Sequence, residues 1–358
     1  MPDATSQTEH HRPTVRIAGK ADARVTGLVS SMRLEEAEGG LCSLELRFDA
    51  LARYTDAAAE LAFEDEQLLR LGAPIGIYTG PETAPQEIFR GVITGIEAVF
   101  THDTAPEFVV LAEDALQKAR LARHTRVHDT TTLARLAEDL AKNLGLRPVI
   151  NGLQEPLGLQ VQWNESDLAF MRRLLATRDA DLQVAGDELH VAPRSTVRRG
   201  TLTLNLYSEL RRARVTADLA HQATEITCSG WNGLQGTTVS GRSTGSPPGP
   251  GAGRTGAELL QQTLGARKEH LGSLPVANSD EATAIAKAAF DARARRFVCV
   301  DGTAEGTPTL RVGTHVNLRG LSPRFDNTYY VVRACHRYDT LHGYETDFEA
   351  ECAFLGAP

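Results

Sequence analysis

Cysteine is scarce in this 358-residue chain, and its five cysteines (Cys42, Cys228, Cys299, Cys335 and Cys352) are scattered with no C-x-x-C pair. An odd number at such spacing argues against a disulfide framework and favours folding in a reducing compartment. No run of about 18 apolar residues is present, so no membrane span is predicted. The polar start, Met1 to Val15, also lacks the apolar segment of a secretory signal.

Basic charge is also in the minority. The chain has 38 Lys and Arg against 46 Asp and Glu, a formal net charge of −8, which argues against a nucleic-acid-binding surface. Charged residues make up 23% and hydrophobic residues 41% of the chain, as in ordinary soluble globular proteins. Its length predicts two or three domains.

The common catalytic signatures are missing as well: H-E-x-x-H, G-x-S-x-G, the P-loop and G-x-G-x-x-G do not occur. Gly249 to Gly253 is glycine-rich but contains a proline and does not join a strand to a helix, so it is not expected to bind phosphate. We therefore expect no enzymatic activity, no catalytic, cofactor-binding or metal-binding residues, and no cofactor.

Four polar groups nevertheless deserve a structural test. Asp179 and Asp181 could act as an acid–base pair, although turn and capping roles are more common. Cys335 and His336 are adjacent on a predicted strand and so point to opposite faces, which predicts a buried thiol beside a surface histidine. Lys268-Glu269-His270 is expected to be a solvated loop. The run from Arg194 to Arg199 is expected to be a solvated face or an interface patch.

The aromatic residues Trp163, Trp231, Tyr329 and Tyr330 could form a carbohydrate platform if they were exposed and coplanar. In strands and at element ends such residues are more often core or subunit interface. The run from Gly241 to Gly256 is rich in Gly and Pro and is predicted to be a loop or linker.

Hydrophobic periodicity predicts an α+β chain that is mainly β. Period-two alternation favours strands, as at 41–48, 201–207, 309–318, 329–337 and 344–354. A strand is also predicted within Arg24 to Glu35. Helical stripes lie in Thr131 to Gly145 and in Glu281 to Arg296. A further helix is predicted to start at Asn164 to Asp167 and to carry the stripe Leu168, Met171, Leu174 and Leu175. Leu182 to Val184 and Leu189 to Val191 predict a hairpin around Gly186.

A faint internal repeat links the two β regions. The segment from Arg70 to Ile77 resembles that from Arg311 to Leu318, and in both cases a return strand follows, at Val92 and at Val331. Two readings remain open: duplication of one β module, or shared turn chemistry in unrelated modules.

Two sets of motifs resemble a known family. The first is Q-W-N-E-S-D-L-A-F-M-R-R-L-L (162–175) with its following hairpin. The second is R-V-G (311–313), then Y-Y-V-V (329–332), His336 and G-Y-E-T-D-F (343–348). In this order they resemble the contractile-tail baseplate hub proteins, which include the phage late control protein D group and the hub part of VgrG-like type VI secretion spike proteins.

The resemblance implies two tube-like β-barrel domains with inserted small α+β and helical segments. The expected organisation is a disordered N-terminus (1–13), a first barrel (14–115), a small α+β domain (116–198), a second barrel (199–242 plus 297–356), and a Gly/Pro loop with a helical insertion (243–296). The family's spike proteins continue past the hub, whereas this sequence ends at Pro358. The spike is therefore expected to be a separate protein.

It also implies a function. The expected role is a structural, virion-component hub: a homotrimer that joins a threefold spike below to a hexameric inner-tube protein above, beside other baseplate components. The protein would be made in the cytoplasm and assembled into a phage tail, tailocin or injection-system particle. The alternatives are a tail-associated peptidoglycan hydrolase and a glycan-binding β-module.

Overall fold

The computed structural model describes residues 12–49, 51–55, 58–63, 67–80, 84–102, 105–233, 235–245, 249–272, 276 and 278–357. Strands account for 48% of the chain and helices for 19%, so the predicted α+β, mainly β class is confirmed. The disorder predicted for 1–13 falls mostly outside the described residues. Arg12, which is described, donates a hydrogen bond from Nε to the Tyr338 hydroxyl at 3.2 Å.

The first β region contains nine strands and one short helix. They are β1 (Thr14–Ile17), β2 (Lys20–Ala21), α1 (Ala23–Leu28), β3 (Val29–Ala37), β4 (Ser43–Asp49), β5 (Leu51–Thr55), β6 (Ala58–Leu61), β7 (Pro74–Thr79), β8 (Gln86–Val99) and β9 (Glu107–Glu113). The strand predicted within Arg24 to Glu35 is present as β3, which starts at Val29. Before it, Asp22 caps α1 by accepting hydrogen bonds from the backbone N–H groups of Arg24 and Val25.

A small α+β region follows, and its core is separate from that of the first region. Its elements are α2 (Gln117–Leu121), β10 (Arg123–His128), α3 (Leu133–Leu144), β11 (Arg147–Ile150), β12 (Gln160–Ser166), α4 (Asp167–Ala176), β13 (Ala180–Ala185), β14 (Glu188–Pro193) and a 3₁₀ turn (Arg194–Thr196). The predicted helix stripe corresponds to α3, which Thr132 caps and Gly145 ends at φ 72°. The predicted hairpin is β13–β14, in which Ala185 is paired with Glu188.

The rest of the chain supplies the remaining elements. They are β15 (Gly200–Asn205), β16 (Leu210–Ala217), β17 (Glu225–Asn232), β18 (Thr237–Ser243), β19 (Arg254–Thr255), α5 (Gly256–Thr263), β20 (Lys268–Leu271), α6 (Ser279–Arg295), β21 (Val298–Glu305), β22 (Thr314–Arg319), β23 (Thr328–Asp339), β24 (Gly343–Cys352) and β25 (Phe354–Leu355). β17 and β18, predicted to lie in the second barrel, form a separate sheet in which β17 pairs with both β18 and β20. Both strands contribute to the core that includes buried residues of α6.

One 13-stranded sheet runs through both β regions, in the order β16-β21-β24-β23-β3-β4-β9-β8-β7-β1-β2, with β22 on β23 and β15 on β22. Two parts of this order match. β3-β4-β9-β8-β7 in the first region corresponds to β16-β21-β24-β23-β22 in the second, with every pairing antiparallel. The faint sequence repeat therefore coincides with a repeated strand order. Closure of either half into a barrel stays a prediction.

The repeat extends to backbone detail at a glycine. Gly72, at φ 79°, precedes β7 and donates a hydrogen bond to the carbonyl oxygen of Ile93 at 2.8 Å. Gly313, at φ 86°, precedes β22 and donates to the carbonyl oxygen of Val331 at 2.9 Å. Because left-handed backbone favours glycine, this turn explains why the two segments share that residue.

The two return strands also carry a β-bulge at the same place. On β8 the register shifts between Ile93 and Gly95, and on β23 it shifts between Val331 and Arg333. The glycine hydrogen bond and the bulge both make Ile93 the counterpart of Val331. The positions of the two regions can therefore be compared residue by residue.

Candidate functional site: a charged sheet face and a buried ionic joint

One face of the 13-stranded sheet is charged, which follows from period-two alternation along its strands. Register places the following residues on this face, called here the charged face: Arg212 and Arg214 on β16, Asp301 on β21, Asp347 and Glu349 on β24, Arg333 and Arg337 on β23, Arg33 and Glu35 on β3, Glu45 and Arg47 on β4, and Glu97 on β8. The opposite face carries the apolar cores of both regions.

Acidic and basic side chains alternate across the charged face and pair between strands. Arg333 contacts Glu35 on β3 and Glu349 on β24, each at 3.0 Å. Arg337 contacts Asp347 at 2.8 Å, and Arg212 contacts Asp301 at 2.7 Å. Each such exposed pair is worth little, about 0–1 kcal/mol. The face is therefore hydrophilic without a single dominant sign of charge.

The two β regions meet where β3 pairs with β23, called here the β3–β23 joint. Cα partners run from Arg333 with Ala37 to Asp339 with Ser31, in antiparallel order. β22 pairs with the first part of β23, before the bulge, and β3 pairs with the part of β23 after the bulge. One long strand thus belongs to two neighbouring modules.

His336 lies inside the joint, and the prediction of a surface histidine is wrong. It is completely buried, and its Nδ1 lies 2.8 Å from the Tyr344 hydroxyl. Burial, with the nearby Arg311 guanidinium, lowers the pKa of His336 to about 3, so the ring is neutral at pH 7. The neighbouring Cys335 is buried as predicted. The pair forms no nucleophile and base, because adjacent residues of a strand point to opposite faces of the sheet.

A buried charged group lies at the junction with the small α+β region. Arg194 is buried and forms ion pairs with Glu38 and, at 3.1 Å, with Glu351, while its guanidinium lies 4.0 Å from the centre of the Tyr330 ring. Burial, together with the carboxylates of Asp181 and Glu351, raises the pKa of Glu38 to about 7. The sequence predicts a solvated face or an interface patch for this run. Arg194 is not solvated, and it lies at an interface within the chain.

Asp179 and Asp181 belong to the same junction. Asp181 accepts a hydrogen bond from Arg199 at 2.9 Å, and Asp179 accepts one from Arg295. Burial raises the pKa of Asp179 to about 6. Each carboxylate thus binds an arginine of the chain.

The small region also holds the β3–β4 turn. Arg172 donates to the carbonyl oxygens of Gly39 and Gly40, each at 2.7 Å, and Gln183 donates to that of Ala37 at 2.7 Å. β3 is the strand of the first module that pairs with β23 in the β3–β23 joint. The contacts from Arg172 and Gln183 therefore hold in place the end of the strand that links the two modules.

The remaining candidates fall in three places. Lys268, Glu269 and His270 form strand β20 rather than a loop, and the His270 ring lies 2.9 Å from the Thr227 hydroxyl. Tyr329 and Tyr330 are core residues. Trp163 and Trp231 are exposed on β12 and β17, which belong to different sheets.

The Gly/Pro run is more tightly packed than a linker. A Cβ at Gly251 would lie 2.6 Å from the Cys352 sulfur, and one at Gly253 would lie 2.2 Å from the Leu355 carbonyl oxygen. Ala252 exchanges two hydrogen bonds with the Asn327 side chain. Residues 246–248 of the run lie outside the described residues.

Among the described residues, no cluster of three or more His, Cys, Asp or Glu side chains could hold a metal ion. No helix in the same part of the chain is long and apolar enough to cross a membrane.

The fold is that of phage tail proteins. The 43 kDa tail protein of prophage MuSo2 from Shewanella oneidensis superposes with a TM-score of 0.69 at 13% identity, over 95% of this chain and 98% of that one. A tail protein from Neisseria meningitidis gives 0.66 at 13% identity, over 95% and 96%. A type VI secretion component of E. coli, described as similar to the T4 bacteriophage tail proteins gp27 and gp5, gives 0.59 at 13% identity, over 96% and 79%.

A family model described as the Alg8 N-terminal domain matches residues 50–339. The match covers most of the chain, and the chain belongs to that family. The description names a domain and states no reaction, so it adds no chemistry to the residues above. No curated protein matches the chain.

Proposed function

We propose that this protein is the structural baseplate hub of a phage tail or contractile injection system, acting as a symmetry adaptor between a threefold spike and the sixfold inner tube. The observation that carries the proposal is the module repeated within one chain. Three copies of a chain with two equivalent modules present six similar units to a hexameric ring and three identical ones to a trimeric spike.

The charged face supports this role. A sheet with one apolar, packed face and one hydrophilic face suits the wall of a water-filled tube. Acidic and basic side chains pair across the strands, so the face has no strong electrostatic potential of one sign. A charged macromolecule that passes along the face would therefore not be bound strongly by it. The tail proteins that share the fold are consistent with assembly into a particle.

The proposal is tested by the mass of the protein in solution, alone and with its spike and inner-tube proteins. Three copies per complex are expected by mass photometry. A single-copy species that persists with both partners present would contradict the hub role. Clearing of a peptidoglycan suspension by the pure protein would favour the hydrolase alternative instead.

A further inference from the structure

A cavity of about 600 Å³, called here the junction cavity, lies where helix α6, strands β22 and β23, and the segment between β14 and β15 meet. Residues 249–251 of the Gly/Pro run also line it. Binding sites for small molecules have typical volumes of about 300–1,000 Å³. The junction cavity is therefore large enough for a small organic molecule, and the proposed hub function makes no use of it.

Helix α6 contributes charged side chains to the junction cavity at helical spacing. Lys287, Asp291 and Arg295 are four residues apart, so they share one face of the helix, and all three line the cavity. The Lys287 Nζ lies 2.6 Å from the Oδ2 atom of Asp291, and Arg295 forms an ion pair with Asp179. The helix therefore offers both cations and carboxylates to a molecule in the cavity.

The strands contribute neutral polar groups. Register pairs His315 with Tyr330 and Asn317 with Thr328, and these four residues line the junction cavity. Burial lowers the pKa of His315, so its ring is neutral at pH 7. The charge of the cavity therefore comes from α6 and from the chain around the small α+β region, and not from the strands.

Three of the lining residues carry a polar atom that has no hydrogen-bond partner in the part of the chain that the structure describes. These atoms are the hydroxyl oxygen of Tyr330, the Oδ1 of Asp291 and the Nε of Arg295. Tyr330 is 2% exposed and Asp291 is 5% exposed. Because buried polar groups in proteins are nearly always hydrogen-bonded, three such atoms at one cavity point to a bound polar molecule as their partner.

The chemistry of these atoms restricts the partner. Arg295 Nε–H is a donor, and the Tyr330 hydroxyl can donate, so both suit an acceptor such as a phosphate or carboxylate oxygen. The Asp291 carboxylate can only accept, so it suits a hydroxyl or amine of the same molecule. The partner therefore needs an acceptor group and a donor group together.

The balance of charge in the lining favours an anion. Four basic side chains line the junction cavity against two carboxylates: Arg194, Arg198, Lys287 and Arg295 against Asp179 and Asp291. Glu38 and Glu351, which form ion pairs with Arg194, are not among the lining residues. A small oxyanion thus gains attraction from the surface that faces it.

We propose that the junction cavity binds a small organic anion that also carries hydroxyl groups, the class that includes sugar phosphates and hydroxycarboxylates. Its anionic oxygens accept hydrogen bonds from Arg295 and Tyr330, and one of its hydroxyls donates to Asp291. The inference does not depend on the hub function. A ligand there would contact α6, β23 and the segment after β14 at once, and so would stabilise the folded chain.

The proposal is tested on the full chain by thermal unfolding and isothermal titration calorimetry, with glucose 6-phosphate and citrate as probes. At least one probe should bind saturably and raise the unfolding temperature. Sulfate, which cannot donate a hydrogen bond, and glucose, which has no charge, should bind at least about tenfold more weakly. No binding of either probe would overturn the proposal. Sulfate that binds as tightly as the probes would overturn it too, because the cavity would then be an anion site without the hydroxyl contact.

Tyr330→Phe locates the binding. It removes a hydroxyl that has no partner in the described chain and keeps the ring that the Arg194 guanidinium contacts. Probe affinity should fall about tenfold, while unfolding without probe should stay unchanged. The matched control is Tyr329→Phe, whose hydroxyl donates to the Phe325 carbonyl oxygen at 2.7 Å on the core side. It should lower the unfolding temperature and leave the affinity unchanged. Unchanged affinity in Tyr330→Phe would mean that the probe binds elsewhere.

A second pair of variants tests the charge of the lining. Arg198 is exposed and lines the junction cavity, whereas Arg214 is exposed on β16 and does not line it. Arg198→Gln should weaken probe binding several-fold, and Arg214→Gln, which removes the same charge, should not. Equal affinities of the two variants would assign any loss to the net charge of the protein and would overturn the site.

Discussion

The two β modules share a strand order, a left-handed glycine and a bulge, yet their corresponding strands have different surroundings. β23 in the second module is covered on both edges, first by β22 and then by β3. β8 in the first module has only β9 beside its last residues. Identical topology thus produces a buried histidine at 336 and an exposed alanine at 98. Which side chains of a strand are buried therefore depends on the neighbouring strand as much as on the strand's own pattern of apolar and polar residues.

The largest expected effect tests whether the modules are equivalent. Val331 and Ile93 are counterparts, and both are fully or almost fully buried. Val331→Asp and Ile93→Asp should each cost more than about 4 kcal/mol, because an unpaired carboxylate would be buried in an apolar core. Circular dichroism during heating measures the loss. Unfolding like that of the parent chain for either variant would show that its place in the core is wrong.

A smaller effect is expected at the junction with the small α+β region. Arg194→Ala should cost about 3–5 kcal/mol, since Glu38 and Glu351 would lose a buried partner. Arg198→Ala, in the same basic run, removes an exposed side chain bonded to the Thr201 hydroxyl and should cost less than about 1 kcal/mol. Urea unfolding of both variants makes the comparison. Equal losses would mean that Arg194 stabilises the junction no more than a surface residue does.

Local elements were predictable where a periodic pattern coincided with end signals. The stripe at 133–144 lies between the Thr132 cap and Gly145, and α3 has those bounds. Helix α1 was missed because six residues are too few to show a helical period, and only Asp22 marks its start. The strand order of each module could not be read from local pattern, although the shared glycine pointed to it.

The site was less predictable than the fold, for a physical reason. His336 is paired in register with Leu34, and Arg194 forms an ion pair with Glu38, so each is buried in contact with residues that are far away in sequence. A period-two pattern identifies two faces of a strand without saying whether another sheet edge or a domain covers the second face. For the same reason the sequence alone could not distinguish the open edge of β8 from the filled edge of β23.

Acid should destabilise the second module in particular. The pKa of His336 lies near 3 in the folded protein and about 6.5 in an unfolded chain, so the unfolded chain binds the proton more readily. The stability it contributes is present above pH 6.5 and is lost as the pH falls toward 3, by up to about 1.4 kcal/mol per unit. His336→Gln should flatten this slope in urea titrations at several pH values.

The control for that slope is His221→Gln, at an exposed histidine outside β23 and β24. It should keep the acid sensitivity of the parent chain. If His336→Gln also kept it, the histidine would not be buried in its neutral form, and the β3–β23 joint would be looser than described.

The smallest expected effect is the difference in stability loss between alanine variants of the two equivalent glycines, Gly72 and Gly313. This difference distinguishes the cost of left-handed backbone from the cost of crowding by neighbouring side chains. Gly72→Ala places a Cβ in open space, so its cost is the left-handed backbone alone, about 1 kcal/mol. Gly313→Ala adds a close approach, 2.8 Å to the Arg199 guanidinium and 2.9 Å to a Val197 methyl, and should cost about 1 kcal/mol more. Thermal unfolding of the two variants gives the difference. Because the backbone cost is common to both variants, equal losses would show that Arg199 and Val197 move aside freely.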